Sequence, residues 1–182
     1  MRGISVAMKF IRTLAAGVAA AAIATPVLAQ SCLQPAERTA MEVRALQSQL
    51  MVAAIACGQT DQYNAFVSRN QRDLAQAFRT VEAHFKRVHG NSQGQRQLDN
   101  YITQLANAQS QDGIDQGTFF CSNVTPLFKQ AMAETGPARL ASVSYQSNLV
   151  VPYALDTCDA AATPARQTTP ARRANRTRTA SR

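Results

Sequence analysis

The 182-residue chain is 46% apolar and 16% charged, with 6% aromatic residues, no Trp, four Cys and a formal net charge of +8. That size holds one domain and excludes a large multidomain protein, a coiled-coil rod, a collagen-like chain and a polytopic membrane protein. The charge lies at the ends, because residues 30–158 balance ten basic residues with ten acidic ones, so a strongly basic folded surface is excluded as well.

In chain order, Met8-Lys9-Phe10-Ile11-Arg12-Thr13 is a short basic opening before an apolar run from Leu14 to Ala24. Val27 and Ala29 then occupy the −3 and −1 positions of a cleavage site, which predicts a signal peptide over residues 1–29 and a mature start near Gln30. Met8 is an alternative start, because the pattern is complete without residues 1–7. The apolar run is shorter than the roughly 20 residues of a membrane-spanning helix. The leader holds no twin-Arg pair, and Gln30-Ser31 before Cys32 departs from the small residues that lipid attachment needs.

Pro35 suits a first helical position, and Gly58 a C-terminal stop. Between them Val43, Leu46, Leu50, Ala53 or Ala54, and Cys57 form one apolar stripe, which predicts helix 1 over 35–57. Thr60 or Asp61 caps helix 2, expected over 61–89, where Tyr63, Phe66, Val67, Leu74, Phe78, Val81, Phe85 and Val88 keep the same period. Gly90-Asn91-Ser92-Gln93-Gly94 reads as a turn. Helix 3 is expected over 94–110 on Leu98, Tyr101, Ile102, Leu105 and Ala108, ending at Gln111-Asp112-Gly113. Asp115 caps a fourth stretch carrying Phe119, Phe120, Val124, Leu127, Phe128, Ala131 and Met132, which Pro126 kinks or splits, with Thr125 capping the second half. Gly136-Pro137 ends it. Leu140 and Val143 suggest a further short helix, and Leu149-Val150-Val151-Pro152-Tyr153 an extended strap.

The expected fold is all-α: a four-helix up-down-up-down bundle over 30–158 with a disulfide-fastened C-terminal strap. Cys32, Cys57, Cys121 and Cys158 contain no C-x-x-C and no Cys/His cluster, so paired cysteines in the periplasm or outside the cell are expected rather than zinc or redox chemistry. In an up-down bundle Cys57 and Cys121 share one end, and Cys32 and Cys158 the other. The layout favours Cys57–Cys121 and Cys32–Cys158. Roughly 125 residues can bury about two-thirds of their unfolded surface, enough for a core without a cofactor.

From Ala160 onward there is no Leu, Ile, Val, Met, Phe or Tyr. Such a segment, 159–182, buries too little to offset its ordering entropy, and a disordered tail is expected. Arg166, Arg172, Arg173, Arg176, Arg178 and Arg182 make it a polycation suited to lipid headgroups or anionic envelope polymer. With no aromatic residue to stack on, any nucleic-acid contact would be non-specific. A solvated tail with no dedicated partner is the alternative.

The search for chemistry yields no catalytic, cofactor-binding or metal-binding residues. His84 and His89 stand about 140° apart around a helix, do not form H-E-x-x-H, and read as helix-surface side chains. No G-x-S-x-G or Gly-rich phosphate loop occurs. Asp112 and Asp115 read as a turn and a helix cap, with too few ligands for a calcium loop. Asn123-Val124-Thr125 and Asn175-Arg176-Thr177 fit a glycosylation sequon, but the leader looks bacterial. The aromatics Tyr63, Phe66, Phe78, Phe85, Tyr101, Phe119, Phe120 and Phe128 form a core or, less readily, line a cavity for an apolar ligand. Eighteen Gln, mostly on polar faces, suit a soluble, charge-balanced domain.

Residues 46–57, with Tyr63-Asn64-Ala65-Phe66 and Thr103-Gln104-Leu105-Ala106-Asn107, resemble segments of uncharacterised small secreted helical proteins of alphaproteobacteria. The resemblance spans about residues 32–135 and leaves out the tail. It implies an exported helical fold and brings no activity with it. The expected function is therefore that of an exported non-enzymatic interaction module, with carriage of a small apolar ligand as the alternative and a hydrolase last.

Overall fold

The computed structural model describes residues 32–154 and 156–158. The expected signal segment, 1–29, and the Arg-rich tail, 159–182, lie outside these residues.

Helix α1, Pro35–Cys57, has the expected bounds. Pro35 occupies the first turn, where no N–H is needed, and the Glu37 carboxylate accepts the Gln34 N–H at 2.8 Å. Gly58 ends the helix in the left-handed region (φ 68°), and the Gln59 N–H reaches back to the Ala54 carbonyl at 2.9 Å. The single stripe read from the sequence understates this helix. Besides Met41, Val43, Leu46 and Leu50 it buries Glu42, Ser48 and Gln49, which lie on other faces. Helix α1 is the central element, covered on several sides at once.

Where four bundle helices are expected, three helical spans fill residues 35–133. Expected helices 2 and 3 are one span, α2, Thr60–Gln116. Its backbone leaves helical values at Asn70 and Gly90, the latter with φ 76° and ψ 165°. The turn read at 90–94 is thus confined to Gly90. A straight helix would separate Phe85 from Tyr101 by about 24 Å, yet their ring centroids are 5.5 Å apart. The two arms of α2 therefore run back along each other. Gly94 permits this approach, since a Cβ there would sit 2.7 Å from Lys86 Cα.

The break expected at Gln111-Asp112-Gly113 is absent, because Gly113 is a packing residue: an added Cβ would lie 3.2 Å from the Phe120 ring. Asp112 and Asp115 accordingly are neither turn nor cap. They accept from Gln116 and Gln111 at 2.7 and 2.9 Å along the helix. A 3-10 turn, Gly117–Phe119, leads into α3, Phe120–Ala133. Helix α3 runs through Pro126 unbroken. Pro126 and Ser122, the residue whose carbonyl loses its partner, are both exposed, so water can serve that oxygen. Thr125 is correspondingly no cap, and its hydroxyl donates to the Cys121 carbonyl at 2.6 Å.

Helix α4, Pro137–Gln146, buries Leu140 and Val143. Helices α2, α3 and α4 all pack on α1. No strand forms among the described residues, and beyond α4 the chain turns at Ser147-Asn148 and then runs without a regular element, with one isolated parallel bridge between Leu33 and Thr157. The core combines Leu46 and Leu50 of α1 with Phe66 and Phe85 of α2, Phe128 of α3 and Leu140 of α4.

Candidate functional site

The disulfides join Cys32 to Cys158 and Cys57 to Cys121, the pairs favoured by the helix layout. The first fastens the end of the strap beside the start of α1. The Leu33 N–H donates to the Asp156 carbonyl and the Cys158 N–H to the Leu33 carbonyl, both at 2.9 Å.

His84 is not a surface side chain. It is fully buried, in step with Val81 and Phe85 on the inner stripe of α2. Its Nδ1 lies 3.1 Å from Glu37 Oε2 and its Nε2 2.9 Å from the Tyr153 hydroxyl. Arg87, one turn along α2, donates to both Glu37 oxygens at 3.0 and 2.6 Å and to the Cys32 carbonyl at 3.0 Å. Three regions distant in sequence thus meet: the first turn of α1, the middle of α2 and the strap. The rings of His84, Phe85 and Tyr101 enclose Tyr153, with centroids 5.4 to 5.8 Å from its own.

The electrostatics settle which protons stay. Burial alone would raise the Glu37 carboxyl, but hydrogen bonds from Arg87, the Gln34 N–H and His84 outweigh it and hold the group below its ordinary value. Burial pushes the His84 imidazole down, against the pull of Glu37. Burial also raises the Tyr153 phenol. At neutral pH the cluster therefore holds one carboxylate, one guanidinium, a neutral imidazole and a protonated phenol. The order carboxylate, imidazole, hydroxyl is that of an activated nucleophile. Here each of the three side chains is contributed by a different region, and their contacts tie the strap to α1 and α2.

Among the grooves on the described residues, two stand out by their lining. Beside Tyr153 a polar one of about 360 Å³ is lined by Arg38, Glu42, Ser144 and Asn148, and within it the Ser144 hydroxyl donates to Glu42 at 2.8 Å. At the Cys57–Cys121 end, an apolar groove of about 470 Å³ runs between the last turns of α1 and α2, lined by Met51, Val52, Ile55, Ala106, Ile114 and Phe120. Its rim residues Ile55 and Ile114 are 77% and 69% exposed. Of the aromatics considered for a cavity, Phe66, Phe85, Tyr101, Phe120 and Phe128 are buried in the core, and Phe119 is exposed. Among the described residues no group of three or more His, Cys, Asp and Glu side chains gathers as a metal would require.

Compared with known families, curated proteins and solved structures, the chain matches none.

Proposed function

We propose that the protein is an exported, non-enzymatic helical interaction module, periplasmic or secreted, whose Arg-rich tail tethers it to anionic envelope polymer or lipid headgroups. The observation that carries this reading is the Cys32–Cys158 bond with its Leu33–Thr157 bridge. It fastens Cys158, the residue before the tail, to Cys32, three residues ahead of the central helix, so a pull on the tail would pass to the start of α1. Two disulfides favour an oxidising compartment, and no described helix is long and apolar enough to cross a membrane.

The test is sedimentation of the oxidised full chain with vesicles containing anionic lipid, beside a chain lacking residues 159–182. Retention that disappears on truncation and on raising salt to about 0.5 M, where charges are screened within a few ångströms, is expected. Retention unchanged by either treatment would overturn the tether.

The apolar groove between α1 and α2 favours a second reading, carriage of a small apolar ligand between bundle helices. Its volume falls in the range of small-molecule sites. A fluorescent fatty acid should bind the oxidised protein and be lost from Ile114→Glu; equal binding to both would remove this reading.

A further inference from the structure

A third groove, of about 330 Å³, opens where α1, the end of α2, α3 and the segment after α4 meet. Five amide side chains line it, those of Gln49, Gln116, Asn123, Gln130 and Asn148, beside one carboxylate, Asp112. Asn123 Nδ2 donates to Gln116 Oε1 at 3.0 Å, and Gln116 Nε2 donates to Asp112 Oδ2 at 2.7 Å. This relay fixes three of the groups in one orientation and leaves Asn123 Oδ1 and Asp112 Oδ1 to accept from elsewhere. Gln49 is the telling member. It is only 4% exposed, yet its amide makes no hydrogen bond among the described residues. A buried amide without a partner is costly, and this one borders the groove. Phe120, Val124 and Leu127, all buried, supply the apolar part of the lining.

We infer that this groove binds a neutral saccharide. A sugar hydroxyl both donates and accepts, and an amide offers an oxygen beside an NH2 group, so adjacent hydroxyls of a ring match this lining in both senses. The C–H face of the ring matches Phe120, Val124 and Leu127. No Lys, Arg or His is among the lining residues, so an anion finds no counter-charge there. Asp112, the one charged residue of the lining, already accepts from Gln116, which weighs against a cation. The walls from α1, α2 and α3 are helical and offer no strand edge to an extended peptide. The volume lies at the small end of ligand sites, which suits a sugar unit better than a broad protein contact. The site requires neither the tail nor an occupant in the apolar groove, although Phe120 borders both grooves.

The probes are glucose, galactose, mannose and N-acetylglucosamine, each titrated into the oxidised full chain, with the Gln49 and Gln116 side-chain amides followed by NMR. A saturable shift at millimolar concentration is expected from at least one of them. Gln49→Leu should weaken that binding about tenfold or more, because a hydroxyl set against Leu is desolvated without a partner. Asn123→Ala, at an exposed position, breaks the relay and should weaken binding about fivefold, the scale of one neutral hydrogen bond. Should Gln49→Leu fail to fold, Asn123→Ala alone decides. Sugar affinity left unchanged by either substitution overturns the assignment. So does the absence of a saturable shift from all four sugars, or tighter binding of spermidine or of the peptide glycylglycine than of every sugar.

Discussion

Tyr153 sits in a segment with little secondary structure of its own, and a single hydroxyl ties it to the buried His84. Tyr153→Phe keeps the ring packing and removes that bond, leaving an imidazole nitrogen without its partner. A loss of about 1 to 2 kcal/mol is expected, read as a lower Tm in thermal unfolding with the disulfides intact; an unchanged Tm would show that the bond contributes nothing. The same cluster sets a pH dependence. His84 is held below its ordinary pKa, so below about pH 6.5 the unfolded chain takes up a proton that the folded one refuses. Glu37, also held low, acts in the same direction at more acid pH. Stability should therefore be full near neutrality and decline as pH falls through these two ranges, first with His84 and then with Glu37. Urea midpoints between pH 7.5 and 4 check the sign, and a midpoint that rises on acidification would contradict it.

At the level of the elements, the fold-back of α2 rests on Gly90 and Gly94. Gly94→Ala would drive a methyl onto the Lys86 backbone and should cost about 1 to 3 kcal/mol, the usual penalty of overpacking. An exposed alanine such as Ala75 changed to Gly should cost only about 1 kcal/mol, and equal losses for the two would mean that the arms are not in contact. These elements were unevenly legible in the sequence. The bounds of α1 follow from Pro35 and Gly58, which act locally, and the disulfide ends follow from helix order. Gly113 was misread as a stop, because composition does not distinguish a glycine that ends a helix from one that admits a ring. Glu42, Ser48 and Gln49 concealed that α1 is central, since a polar letter reads as surface unless its buried partner is known. His84 carried a signal in its register with Val81 and Phe85. Its partners Glu37 and Tyr153 are 47 and 69 residues away, and nothing local links them.

For the molecule as a whole, the two disulfides close long stretches, with sequence separations of 126 and 64 residues. Chain-entropy reasoning assigns each about 4 to 5 kcal/mol before strain. Replacing Cys32 and Cys158 together by Ser should lower the urea midpoint markedly and expose residues 149–154 to protease, with helical circular dichroism preserved under native conditions. Protease resistance equal to that of the unaltered protein would show that His84, Arg87 and the Leu33–Thr157 bridge hold the strap unaided.

The pairing of Leu33 with Thr157 also bears on how the polypeptide could be rewired. Because the first and last described residues are neighbours, a short linker could join them without spanning the molecule. New termini could then be opened at the exposed corner around Gly117 and Thr118. Such a circularly permuted version would retain all four α-helices and both cysteine pairs, and its recovery as a folded protein would show that the architecture depends on contacts rather than on where synthesis begins.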